Sequence, residues 1–264
     1  MLPFTDHVQK PIRIIENGQI RFDAAPLINE APLFIRIQRV PFTTILRTPG
    51  AEKAHAAGFC LGEGIVEEPN DISGIFLQYE GGACRVDMML TPARYAWLTQ
   101  PENPHLIFNP AHRHAAALDP TRYLSPAPDT MPIPAGEAVA RLLGLNALQP
   151  LHRKTRASHG AAIYDRDFTV LATAEDVGRH NALDKAIGKI FLDDRLSLAH
   201  LLVLSSRIST ELVQKAARAK IPVILGISRP TAMAVELADS LNITLATLGK
   251  DDALYVYCRP DRIE

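Results

Sequence analysis

The chain has 264 residues, with 28 Lys+Arg, 29 Asp+Glu and 47% hydrophobic residues. This length suits one large domain or two small ones, and the formal net charge of -1 gives no general electrostatic case for nucleic-acid or anionic-membrane partners. The start, MLPFTDHVQKPIRII, lacks the basic-then-apolar order of a signal peptide, and no stretch approaches the roughly 20 apolar residues of a spanning helix, so a soluble cytoplasmic protein is expected.

In chain order, Ile12–Ile15 and Gln19–Phe22 flank Asn17-Gly18 and predict a hairpin. Strands over Phe34–Gln38 and Phe42–Leu46 follow, then the turn Arg47-Thr48-Pro49-Gly50. EKAHAAGFCLGEGI is Ala-rich and helical until its glycines. Cys84, Val86, Met88 and Leu90 alternate with polar residues, the period of a half-buried strand. These elements make residues 1–91 a mainly-β region with one helix.

Half of the 20 prolines fall between Pro92 and Pro150, so 92–150 is expected to be a Pro-rich, loop-rich insertion closed by a short helix over 136–148. From 151 to 264 the pattern is α/β. Strands Ala161–Tyr164 and Phe168–Ala172 flank Asp165-Arg166-Asp167. A helix follows, with Leu183, Ala186, Ile187, Ile190 and Phe191 on one face. Strands Leu201–Leu204, Val223–Ile227, Ile243–Leu248 and Leu254–Tyr257 then alternate with helices Glu211–Lys220 and Ala232–Ser240. This alternation predicts a mostly parallel sheet covered on both faces.

Ligands of such sheets bind beyond the strand carboxyl ends. Two loops there match: SSRIST, with Ser206 and Arg207, and SRPT, with Ser228, Arg229 and Thr231. Ordinary N-capping by Thr210 and Thr231 would explain the hydroxyls, but capping does not call for arginines, which point to phosphate or pyrophosphate. In Glu175-Asp176-Val177-Gly178-Arg179-His180-Asn181, the acidic pair fits the dipole of a first helical turn, whereas Arg179, His180 and Asn181 together fit a site. Asp184 stands one turn from His180, placed to orient its imidazole. His159 is within reach of the same pocket. His112 and His114 are too few for a metal centre, and no metal site is expected. Of the three cysteines, Cys60 and Cys84 have the spacing of core residues, and Cys258, beside Arg259, is the best candidate for an exposed thiol.

The run EDVGRHNALDK (175–185), with RTPGAEKAHAAGFCLGEGI (47–65), SSRISTELVQKAARAKIPV (205–223) and ISRPTAMAVELA (227–238), resembles the formate dehydrogenase accessory sulfurtransferase family, FdhD/NarQ. The likeness covers 12–90 and 155–258. It implies a three-layer α/β/α sandwich of the cytidine-deaminase-like kind beside the smaller β part, often dimeric. It also implies a protein that takes sulfur from a cysteine desulfurase as a persulfide. The sulfur passes to a molybdenum or tungsten bis(molybdopterin guanine dinucleotide) cofactor destined for formate dehydrogenase, with GDP as a mimic of the bound client. By position, the family's guanine dinucleotide stretch falls on Leu248, Gly249, Lys250, Asp251, Asp252 and Ala253. The family's CxxC motif, whose first cysteine holds the persulfide, has no counterpart in TPARYAWLTQPENPHLIFNPAHRH, and its TGG-x-H segment stands here as Thr155-Arg156-Ala157-Ser158-His159. The catalytic residue is therefore unassigned, and two functions stay open: sulfur transfer, or carriage of the cofactor without it. A zinc deaminase is the remote third, lacking the H-x-E and P-C-x-x-C ligands.

Overall fold

The protein is described by a computed structural model covering residues 5–100 and 124–264. Local turn chemistry sets its N-terminal part. Strands β1 (His7–Glu16) and β2 (Gln19–Ile28) pair antiparallel with Glu16 opposite Gln19, and Asn17 and Gly18 between them have φ of 51° and 80°. Both turn residues lie in the left-handed region that a two-residue hairpin loop needs. Strands β3 (Ala31–Ile37) and β4 (Val40–Arg47) are joined in the same way through Gln38 and Arg39. Strands β5 (Ile72–Glu80) and β6 (Ala83–Leu90) are joined through Gly81 and Gly82. These last four form a sheet in the order β4-β3-β6-β5, while β1 and β2 stand apart as a ribbon. The alternation read in the sequence is present: Cys84, Val86, Met88 and Leu90 are buried, facing helix α1 (Glu52–Gly62) with Leu33, Ile35 and Ile37. Helix α2 (Pro92–Leu98) follows, its first turn capped by the Thr91 hydroxyl.

Helix α3 (Ala135–Gly144) runs into a 3-10 turn at Leu145–Leu148 and then the short helix α4 (Pro150–Thr155). The strands β7 (His159–Tyr164), β8 (Val170–Asp176), β9 (Leu201–Leu204), β10 (Val223–Gly226), β11 (Thr244–Leu248) and β12 (Leu254–Cys258) form one sheet in the order β12-β11-β10-β9-β7-β8. Helices α5 (Arg179–Leu192), α6 (Thr210–Arg218) and α7 (Ala232–Ser240) connect them. Strand parity divides the core. Leu202, Leu204, Ile224 and Leu245 face α5–α7, whereas Leu201, Val203, Val223 and Leu225 face α3. The layers are thus α3, the large sheet, the helices α1 and α5–α7, and the small sheet.

The large sheet is mixed, not mostly parallel. Only the β9–β10 and β10–β11 pairings are parallel; β7–β8, β7–β9 and β11–β12 are antiparallel. Connection length decides this. A parallel return needs a crossover of a dozen or more residues, and the links after β7 and β11 are far shorter. Strand β8 also begins at Val170, because Phe168 sits at φ 59° in the turn.

The two halves of the molecule meet where α1 crosses α5. A Cβ placed on Gly58 would lie 1.9 Å from the Asp184 carbonyl oxygen, and one on Gly188 1.7 Å from that of Ala54. The helix backbones touch directly at these glycines. Among the described residues, no helix is long and apolar enough to cross a membrane.

Candidate functional site

A cleft of about 550 Å³ lies beyond the carboxyl ends of β9, β10 and β11. Ser205, Ile227 and Leu248, the residues that leave those strands, form its floor. His159 opens β7 at its side, and α3, the 3-10 turn and α4 wall it with Leu142, Leu143, Asn146, His152 and Arg156. The wall is fixed by one carboxylate. Glu175, at the end of β8, accepts hydrogen bonds from the backbone N–H groups of Leu151 (2.8 Å) and His152 (2.7 Å) and from the Ser158 hydroxyl (2.7 Å). These bonds satisfy free donors of the first turn of α4 and tie the 150–158 segment to the sheet. The Ser205 hydroxyl oxygen accepts from the Gly160 N–H at 2.9 Å, which joins the floor to β7.

The expected site residues distribute unevenly around this cleft. Leu248 lines it, and Ser206 and Ser228 each follow a lining residue. Ser206 is buried and donates to its neighbour's carbonyl, Arg207 O, at 3.0 Å; the Arg207 side chain is exposed. Thr231 caps α7, its hydroxyl accepting from Ala234 N–H, so its capping reading holds. Thr210 is not a cap: Ser209 occupies that position, without a side-chain bond to the helix. The two loops are joined by a parallel bridge between Ile208 and Pro230. Gly249 packs against the Tyr255 ring, and Lys250, Asp251, Asp252 and Ala253 form an exposed turn, both aspartates at positive φ, that does not line the cleft. Arg179 and His180 start α5 and do not line the cleft. The His159 imidazole is held below the usual histidine range by burial and then by the Arg179 charge and His152.

The acidic run departs from its expected role. Glu175 and Asp176 belong to β8, not to a helical turn. Asp176 is fully buried and pairs with the Lys185 ammonium at 2.6 Å, while accepting from Thr48 N–H (3.1 Å), Gly178 N–H (2.9 Å) and Asn181 Nδ2 (3.0 Å). Lys185 also donates to Thr48 O at 2.6 Å, and Asn181 to Leu46 O at 2.9 Å. This network clamps residues 46–48 to α5. Asp184 does not orient His180. It pairs with Lys215 at 2.8 Å, and the His180 Nε2 faces Glu211 at 2.7 Å. Facing charges decide these choices, because a buried carboxylate seeks an ammonium rather than a neutral imidazole. Burial pushes the Asp184 carboxyl up to about 6, with the Lys215 charge opposing.

Cys258 is not an exposed thiol. It is 7% exposed and donates to Ile243 O, while Cys60 and Cys84 are fully buried. Burial pushes all three thiols up, Cys84 to about 11 despite the Arg47 charge. His112 and His114 lie outside the described residues. The α3–α4 wall escaped the sequence reading, although the basic run His152-Arg153-Lys154-Thr155-Arg156 marks it.

Residues 28–264 match the profile of the FdhD/NarQ family. A protein of Mycolicibacterium paratuberculosis named sulfur carrier protein FdhD is 36% identical over 260 residues, covering 93% of this chain and 94% of its own. The protein of that name from Streptomyces coelicolor is 34% identical over 269 residues, covering 97% and 94%. A crystal structure from Desulfotalea psychrophila, of a protein assigned as a formate dehydrogenase accessory protein, superposes with a TM-score of 0.79 over 98% of this chain and 100% of that one. At 22% identity, that likeness bears on the fold.

Proposed function

The chain belongs to the FdhD/NarQ family, and from that premise we propose that it is an accessory protein of formate dehydrogenase, acting in the cytoplasm on the molybdenum bis(molybdopterin guanine dinucleotide) cofactor. The observation that carries the reading is the cleft beyond β9–β11. Its volume is in the range of small-molecule sites, which suits one guanine nucleotide arm. Its donors, the Ser205 hydroxyl and the Arg156 guanidinium, suit an anion, while Leu142, Leu143, Ile227 and Leu248 suit a base. The cofactor supplies the metal and dithiolene chemistry when bound; the chain's own residues bind and orient its nucleotide end.

The names of the relatives favour sulfur transfer, with a cysteine desulfurase as donor. One observation favours the second reading, carriage without transfer: all three thiols are buried and raised away from the thiolate form that accepts sulfur. Incubation with a cysteine desulfurase and radiolabelled cysteine separates them. Label retained by the protein, and lost on Cys258→Ser, supports transfer. No label, with GDP bound in calorimetry, supports carriage. Unchanged GDP affinity in Arg207→Ala would place the SSRIST arginine outside the site. The β1–β2 ribbon, which exposes Ile15 and Phe22, supports a homodimer, and light scattering of the eluting protein tests it.

A further inference from the structure

Arg156 closes α4 with φ 58° and ψ 19°, and its N–H bonds back to His152 O at 2.7 Å. This left-handed position is one that glycine adopts freely and a residue with a Cβ does not. Strain of this kind persists where the surrounding structure enforces it, and it concentrates at binding sites.

Arg156 lines the cleft from an exposed position at its rim. Among the described residues, no carboxylate lies within ion-pair distance of its guanidinium. The carboxylate built into this wall, Glu175, already accepts from Leu151 N–H, His152 N–H and the Ser158 hydroxyl. A further donor stands on the cleft floor. Ser205 Oγ accepts from Gly160 N–H, which leaves its hydroxyl hydrogen to donate, while the His152 ring spends its Nδ1–H on Ser158 O at 2.9 Å. An uncompensated guanidinium and a hydroxyl donor on one cleft form an anion site with an apolar continuation.

We propose that Arg156 is the phosphate-gripping residue of the cleft, holding the diphosphate of a guanine nucleotide whose base lies against the Leu142–Leu143 wall. This inference rests on the reading above that the cleft binds a guanine dinucleotide. It adds a residue outside the SSRIST, SRPT and 248–253 segments.

The test is calorimetry on the full chain with GDP and, separately, inorganic pyrophosphate, using Arg156→Gly and Arg156→Asn. Both replacements tolerate the left-handed position, so the fold keeps or gains stability while the charge is lost. The expected result is a fall in GDP affinity of about tenfold or more, with Tm unchanged or raised by about 2 °C. A merely structural arginine would lower Tm together with affinity, and that outcome overturns the proposal. So does GDP binding that is equal in wild type and both variants, which leaves the guanine nucleotide reading intact. Pyrophosphate bound by wild type and lost in the variants, with GDP bound no better than pyrophosphate, supports the phosphate grip and removes the guanine reading. Failure of wild type to bind either probe overturns both.

Discussion

Replacing Lys185 with Met should remove about 3 kcal/mol of stability while leaving the side chain's volume nearly unchanged. The ammonium sits 2.6 Å from Asp176 Oδ2 and 2.6 Å from Thr48 O, and the Asp176 side chain has no exposure to water. Breaking a buried pair by removing one partner costs about 3–5 kcal/mol, because the remaining charge is uncompensated. Asp176 keeps three neutral donors, from Thr48, Gly178 and Asn181, which puts the cost toward the lower end of that range. A domain of this size loses roughly 2–4 °C in Tm per kcal/mol, so the melting point should fall by about 6–12 °C. The double variant Asp176→Asn/Lys185→Met removes both charges of this pair. It should be more stable than the sum of the single losses predicts by about 1–2 kcal/mol, a coupling typical of side chains in one network. Urea unfolding followed by circular dichroism at neutral pH measures these two and the single Asp176→Asn variant. A Lys185→Met loss under about 1 kcal/mol, or additive single losses within about 0.5 kcal/mol, would refute the clamp as described.

Gly188→Ala should destabilise the chain by about 3 kcal/mol or more or leave it insoluble, since a methyl 1.7 Å from the Ala54 carbonyl forces α1 off α5; native-like melting of soluble Gly188→Ala would contradict the backbone contact. His55 is fully buried, and its pKa is held well below 6.5 by burial and then by Lys185, Arg47 and Lys215. The unfolded chain therefore binds a proton there that the folded chain refuses, so this contribution is present above pH 6.5 and is lost as pH falls below it. His55→Phe should flatten the acid side of the stability profile by about 1.4 kcal/mol per pH unit relative to wild type, read from urea midpoints between pH 5 and 6.5; parallel profiles would mean that His55 is not kept neutral. Glu175→Gln exchanges one of the oxygens that accept from Leu151, His152 and Ser158 for an NH2 group, which should loosen α4 by about 1–3 kcal/mol locally. Hydrogen exchange at residues 151–158, faster than in wild type while the β9–β11 amides are unchanged, is the expected signature.

What the sequence disclosed followed how local each determinant is. The Asn17-Gly18 hairpin, the alternation at Cys84–Leu90 and the α5 stripe all rest on residues a few positions apart, and each is present in the fold. The sheet's direction was legible too, but in the connectors rather than in the strands: β11 and β12 are separated by residues 249–253 alone, too short for a crossover. Cys258 misled because its neighbour Arg259 is local, whereas the β11 carbonyl-side packing that buries it is set by pairing with Leu245. The partners of Asp176 and Lys185 were hidden for the same reason: Thr48 lies more than a hundred positions away, and nothing in either segment names the other.

The run 175–185 therefore divides its labour in a way that bears on function. Asp176, Asn181 and Lys185 fasten the 46–48 segment, Glu175 fastens the cleft wall, and the Arg179 charge acts on His159 at the side of the cleft. None of these residues is a thiol or contacts one in the hydrogen bonds of the described residues. Similarity in this run consequently reports the geometry of the two halves and of the cleft, and it holds whether or not sulfur is carried. The chain's resemblance to sulfur carriers and its buried thiols are then compatible, and GDP binding and persulfide labelling become independent measurements.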